Sequence, residues 1–137
     1  PEQLESGLDK HFSKEVVHIL VNNTGGPAPG NVLDAKLDEF NKAFTNHLIC
    51  NQILVQALVP GMKKANYGRI INIISTSVKV PLRGLGVSNT IRGAVANWAK
   101  TLSVEVAPFG ITVNNVLPGA SMTGRLEALI KNKAKKS

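Results

Sequence analysis

The sequence predicts an α/β fold built on a doubly wound parallel sheet, and three features carry that expectation. Val16-Val17-His18-Ile19-Leu20-Val21, Arg69-Ile70-Ile71-Asn72-Ile73-Ile74-Ser75 and Ile111-Thr112-Val113-Asn114-Asn115-Val116-Leu117 are short runs rich in Val and Ile, without strict apolar–polar alternation. Helices of roughly 20 to 30 residues are expected between them, with apolar positions three and four apart as on one face. The runs give way to polar or Pro-Gly turns, Asn22-Asn23-Thr24-Gly25-Gly26 after the first and Pro118-Gly119 after the third. Apolar strands that alternate with helices belong to a parallel sheet covered on both faces. Each strand–helix–strand unit is then right-handed.

Taken in order, residues 4–14 read as a short amphipathic helix and 16–21 as a buried strand. A long helix is expected from Asp34 or Asp38 to Ala65, because Phe40, Phe44, His47, Asn51, Val55 and Leu58 share one face. Asp38 is a suitable N-cap, and Pro60-Gly61 should kink or end the helix. Asn66-Tyr67-Gly68 turns the chain into the second strand, 69–75. Residues 88–107 form the next helix, with Ile91, Val95, Trp98, Leu102 and Val106 inward, and Pro108-Phe109-Gly110 stops it before the third strand, 111–117. Ligands of open α/β sheets sit outside the carboxyl ends of the strands. The turns after Val21, Ile74 and Leu117 are therefore the places to look for chemistry.

Composition narrows the function classes. The chain has 137 residues, 43% hydrophobic and 18% charged, which fits one domain with a true apolar core. The single Cys50 cannot form an intramolecular bridge, so a reducing, cytoplasmic setting is expected. No apolar run reaches the roughly 18 to 20 residues that span a bilayer, and Pro1-Glu2-Gln3-Leu4-Glu5 has no basic or apolar leader character. The net charge is +7, yet Arg125, Lys131, Lys133, Lys135 and Lys136 cluster at the end of the chain as a solvated tail. Aromatic residues make up 4% and none interleaves with that tail, so the stacking platform of a single-strand nucleic-acid binder is missing.

Three of these segments, in this order and spacing, resemble the short-chain dehydrogenases/reductases over residues 4–129. Asn22-Asn23-Thr24-Gly25 resembles the family's Asn-Asn-Ala-Gly turn, with Thr24 where the family has Ala. Gly68-Arg69-Ile70-Ile71-Asn72-Ile73-Ile74-Ser75 resembles its catalytic-serine strand, and Gly110 to Gly119 its late strand ending in Pro-Gly. The resemblance implies a Rossmann-type fold and nicotinamide-dependent interconversion of a carbonyl and an alcohol. In that chemistry a hydride moves between the nicotinamide and carbon while a phenol exchanges a proton with oxygen. The family's phenol is the Tyr of a Tyr-x-x-x-Lys pair, one helical turn apart, whose Lys lowers the phenol pKa and holds the cofactor ribose.

Carried over residue by residue, the implied catalytic set is Ser75, Ser88, Arg92 and His47. Ser75 matches the family's serine, Ser88 falls at the tyrosine position, Arg92 at the lysine position and His47 at the relay asparagine. An aliphatic hydroxyl does not replace a phenol that titrates near about 10. Tyr67 is no substitute, because it precedes the strand that ends at Ser75 and a strand of that length spans roughly 20 Å. Arg92 stays charged and suits a ribose contact with a different fork geometry from Lys. His47 either supplies the missing proton donor, as an imidazole that titrates near neutrality, or is a satisfied histidine on the sheet side of its helix.

The implied cofactor-binding residues are Asn23, Thr24, Gly25, Arg92, Pro118, Gly119 and Thr123, for NAD or NADP, and no metal is expected. Asn72, Asn114 and Asn115 read as structural, pairing with backbone at strand ends. Gly84-Leu85-Gly86 follows a turn rather than a strand and has Asn89 where a third glycine is needed, so it is not a phosphate loop. The family's phosphate loop lies in a first β-α-β unit, which nothing before Leu4 supplies. Residues 1–137 are thus expected to be the middle and C-terminal part of an NAD(P)-binding domain, lacking the phosphate unit and the closing strand. A small carbonyl or alcohol is the implied partner, with neither nucleic acid nor membrane. Ile53, Leu54 and Ala57, beside the core stripe, suit the family's pairing of its two long helices into dimers or tetramers. The alternative is a catalytically inactive, family-derived nucleotide-binding or scaffold protein.

Overall fold

The computed structural model describes residues 1–12, 15–120, 124 and 130. In chain order the main elements are α1 (Glu2–Phe12), β1 (Ile19–Asn22), α2 (Leu37–Phe44), α3 (Cys50–Lys64), β2 (Gly68–Ile73), α4 (Gly86–Val106) and β3 (Ile111–Val116). The three strands form one parallel sheet in the order β1-β2-β3. Leu20 lies beside Ile70 and Ile70 beside Val113, so these side chains share a face. Leu8 of α1, Val55, Leu58 and Met62 of α3, and Val106 of α4 pack on that face and form the main core. On the other face Ile19, Val21 and Val116 are exposed. Among the described residues, then, the helices of the main core lie on one face of the sheet.

Several boundaries differ from the sequence expectation for identifiable reasons. Pairing begins where the His18 carbonyl accepts from the Arg69 amide at 2.8 Å, so β1 starts at Ile19 and Val16 and Val17 lie ahead of it. Pro60 does not end α3, which runs on to Lys64. Gln56, whose carbonyl lacks the Pro60 N–H as partner, and Pro60 itself are both exposed residues. The N-cap is Lys36 instead of Asp38, and the Glu39 carboxylate accepts from the Lys36 amide at 2.8 Å to close the first turn. Ile53 and Leu54 are partly buried against the core, leaving Ala57 outermost of the three.

Between α2 and α3 the helix does not break. It widens into a π turn over Thr45–Ile49, where one extra residue is accommodated without loss of direction. His47 sits in that turn and is buried.

Gly110 takes the left-handed conformation at φ 67°, and a Cβ there would lie 2.5 Å from the Asn66 carbonyl oxygen. The turn into β3 is therefore pressed against the turn into β2, which sets the pairing of Gly68 with Ile111. Gly110→Ala should lower stability by about 1–3 kcal/mol, from the disfavoured backbone and the collision. Gly93, inside α4 with no atom near its missing Cβ, should tolerate alanine and gain up to about 1 kcal/mol. Urea unfolding midpoints of the two variants check both signs.

Candidate active site

The carboxyl ends of the strands are fastened to one another before any site residue is placed. Ile74 donates its amide to the Val116 carbonyl at 2.9 Å, and Thr76 donates to the Pro118 carbonyl at 3.3 Å. One residue inward, three asparagines stand side by side across the sheet. Asn22 Nδ2 donates to Asn72 Oδ1 at 2.8 Å, and Asn72 Nδ2 donates to Asn115 Oδ1 at 3.1 Å. Asn72 and Asn115, level with one another in the backbone ladder, thus pair through their side chains as well, while Asn114 Nδ2 donates to Thr112 Oγ1 at 3.3 Å. The signal was present in the sequence: one Asn near the end of each run, brought level by parallel register.

Ser75 follows β2 at this edge. It caps the short 3-10 turn Thr76–Val78, its Oγ accepting from the Ser77 amide at 3.0 Å, and it is half-buried. The first turns of α4 deliver Ser88 and Arg92, one turn apart and both buried. Arg92 Nη1 donates to the Ile73 carbonyl at 2.7 Å, and Nη2 donates to the Thr24 carbonyl at 3.4 Å. The guanidinium thereby reaches the ends of β1 and β2 together. From the π turn, His47 Nδ1 lies 2.8 Å from Thr24 Oγ1.

Thr24, His47 and Arg92 are thus in contact, with Ser75 two residues beyond the Ile73 carbonyl that Arg92 grips. Asn23 and Gly25 flank Thr24 on an exposed turn, and Gly25 has open space where a Cβ would stand. Pro118 and Gly119 follow β3 at the same edge. Thr123 lies outside the described residues, as do Arg125 and the lysines of the basic tail. A cavity of about 490 Å³ opens beside β1, lined among others by Asn22, Asn23, Thr24, Asn46, Cys50 and Asn51. Among the described residues no group of His, Cys, Asp and Glu could hold a metal ion, and no helix is long and apolar enough to cross a membrane.

Tyr67, the only tyrosine, stands just before β2, at the opposite end of the sheet from Ser75. It is 42% exposed, with the Arg69 guanidinium 4.3 Å above its ring and the His18 ring 5.9 Å away. Gly84-Leu85-Gly86 is engaged otherwise than in phosphate binding. Gly30 donates its amide to the Gly84 carbonyl at 2.8 Å, Gly86 donates to Gly30 at 2.9 Å, and Val32 occupies the place of a Gly86 Cβ.

A parallel sheet with crossover helices and a polar constellation at its carboxyl edge defines a Rossmann-type α/β protein. Residues 2–134 match the family model for short chain dehydrogenase. The chain belongs to that family. It is 29% identical over 119 residues to the NADPH-dependent reductase BacG of Bacillus subtilis, covering 87% of this chain and 46% of that protein. Against dehydrogenase/reductase SDR family member 4 of Sus scrofa it is 32% identical over 121 residues, covering 88% and 43%. A crystal structure of a gluconate 5-dehydrogenase from Burkholderia cenocepacia, in complex with NADP and tartrate, superposes with a TM-score of 0.87 at 25% identity, covering 97% of this chain and 52% of that one. The chain spans about half the length of the relatives it matches.

The asparagine row gives a direct test of how the site edge is held. Asn72→Leu leaves the Asn22 amide and Asn115 Oδ1 without their shared partner and should cost about 1–3 kcal/mol. Asn114→Ala, on the exposed face, should stay within about 0.5 kcal/mol. Chemical denaturation of the two variants separates these outcomes.

Proposed function

We propose that residues 1–137 form the nicotinamide side of an NAD(P)-dependent oxidoreductase domain that interconverts a carbonyl and an alcohol. The observation that carries this reading is the convergence of Ser75, Arg92, His47 and Thr24 on the carboxyl edge of a parallel sheet, with Ser88 buried one helical turn before Arg92. The donor set suits the ribose and nicotinamide end of a dinucleotide. Arg92 keeps a charged fork of donors at two strand ends, and the turn at Asn23, Thr24 and Gly25 is open beside it. Pro118 and Gly119 complete that edge, and Thr123 belongs to the same proposed contact set. When bound, a nicotinamide ring supplies or accepts the hydride.

The chain's own residues divide the remaining work. Ser75 Oγ, at the end of β2, orients the substrate oxygen by hydrogen bonding. Arg92 holds the ribose hydroxyls. Ser88 lines the site and, as an aliphatic hydroxyl, does not take over the acid role of a phenol. His47 is the imidazole at this edge, a side chain able to exchange a proton, and we assign it the proton exchanged with the substrate oxygen. The two long helices pair with a second copy in a homodimer or homotetramer. A second reading, a nucleotide-binding or scaffold protein without turnover, is favoured by one observation: the only phenol stands at the far end of the sheet.

Fluorescence titration with NADH and NADPH, followed by turnover over a panel of aldehydes and ketones, tests the proposal. Binding with turnover supports it, binding without turnover selects the second reading, and no binding contradicts the cofactor assignment. With an active substrate, Ser75→Ala should lower kcat/KM by about 10²-fold. His47→Asn should lower kcat by about 10²-fold, and unchanged turnover in that variant removes His47 from the mechanism.

A further inference from the structure

The cavity of about 490 Å³ beside β1 falls in the size range of small-molecule sites, about 300–1,000 Å³. Among the described residues that line it, none carries a charged side chain. Leu4 of α1 and Leu54 of α3 supply apolar wall, and Cys50, the only cysteine, stands at the same wall, partly buried, as the first residue of α3. Two amides of the lining are buried without a full set of partners. Asn22 is 5% exposed, and its Oδ1 has no hydrogen-bond partner, while Nδ2 is taken up by Asn72. Asn51 is 6% exposed, and among the described residues its side chain has no hydrogen-bond partner. A buried amide left unpaired is costly. The cavity that both amides line is where a partner can enter.

We propose that this cavity binds small uncharged α,β-unsaturated carbonyl compounds that carry an N–H or O–H donor, and that Cys50 captures them covalently. The inference stands on the residues of the cavity and goes beyond the nicotinamide reading. Asn22 Oδ1, a buried acceptor without a donor, calls for the N–H or O–H, and the Asn51 amide N–H groups call for the carbonyl. A charged ligand would bury its charge against a wall that offers no counter-charge. The reaction is a conjugate addition. Sγ, as the thiolate, bonds to the β-carbon, the carbon–carbon π bond breaks toward the carbonyl, and the α-carbon takes up the proton that the thiol released. One S–C and one C–H bond form, the S–H and π bonds break, and no oxidant, reductant or leaving group takes part. Thr24 lines the same cavity and meets His47 through Oγ1, so the adduct shares a wall with the candidate active site.

Intact-mass spectrometry tests this by following addition of acrylamide, of N,N-dimethylacrylamide, which lacks the N–H donor, and of acrylate, which is charged. Each rate is divided by that of the same reagent with N-acetylcysteine, which removes intrinsic reactivity, and Cys50→Ser assigns the adduct. On this scale acrylamide should add to the folded protein about tenfold faster than to the free thiol. N,N-dimethylacrylamide and acrylate should show no such gain. Asn51→Ala, its fold checked by circular dichroism, should lose about fivefold of the acrylamide gain, and the reagent comparison stands without that variant. An acrylamide ratio at or below one overturns the proposal, as does an equal gain for all three reagents or an unchanged gain in folded Asn51→Ala. Unfolding in urea should abolish the gain, and a gain that survives unfolding also overturns it. None of these rates depends on NADH or NADPH, so this proposal and the nicotinamide reading fail separately.

Discussion

The candidate site depends on one buried guanidinium. Arg92 extends from the second turn of α4 and donates to the carbonyls of Ile73 and Thr24, fixing the helix against the ends of two neighbouring strands. Moving that charge out of water is costly, and carbonyl acceptors offset the cost only at good geometry. The carboxyl edge of a parallel sheet supplies such acceptors where the ladder runs out. Once Arg92 is seated, Ser88 is placed one turn earlier, Ser75 lies two residues past the gripped carbonyl, and Thr24 is held where its hydroxyl reaches His47. An uncharged side chain at position 92 would leave those four without a common reference.

Much of the fold could be read in the residues. The three strand runs, the helix faces and the Pro-Gly and Asn-Asn turns are local patterns, and local patterns survive into the structure. Of the two outcomes expected at Pro60, a kink or an end, the end does not occur: Pro60 stays inside α3, where it and Gln56 are both exposed. The π turn at Thr45–Ile49 left no mark, since one extra residue in a helix changes no composition and little periodicity. Val16 and Val17 are apolar enough for a strand, but the facing chain does not begin pairing until His18.

For the site, motif order located the positions and tertiary structure supplied their contacts. Ser75, Ser88, Arg92 and His47 could be named by carrying the family resemblance over position by position. That Arg92 reaches Thr24, or that Thr24 touches His47, depends on the packing of α4 and the π turn against β1, across separations of 68 and 23 residues. The row of Asn22, Asn72 and Asn115 lay between these cases, visible as one asparagine near each strand end and interpretable only with the register in hand. Its side chains occupy the core face just inside the site edge, so the polar edge and the apolar core of Leu20, Ile70 and Val113 meet at one row of residues.

The chemistry proposed for this edge turns on the same residue that holds it together. Arg92 is both the clamp on the strand ends and the proposed ribose ligand, and the two roles respond differently to substitution. Fluorescence titration of the protein with NADH or NADPH, comparing Arg92→Lys and Arg92→Ala, measures the second role while circular dichroism monitors the first. The account predicts that Lys keeps most of the affinity and that Ala, still folded, weakens binding by about tenfold or more. A folded Arg92→Ala protein that binds either cofactor as tightly as the parent would contradict it.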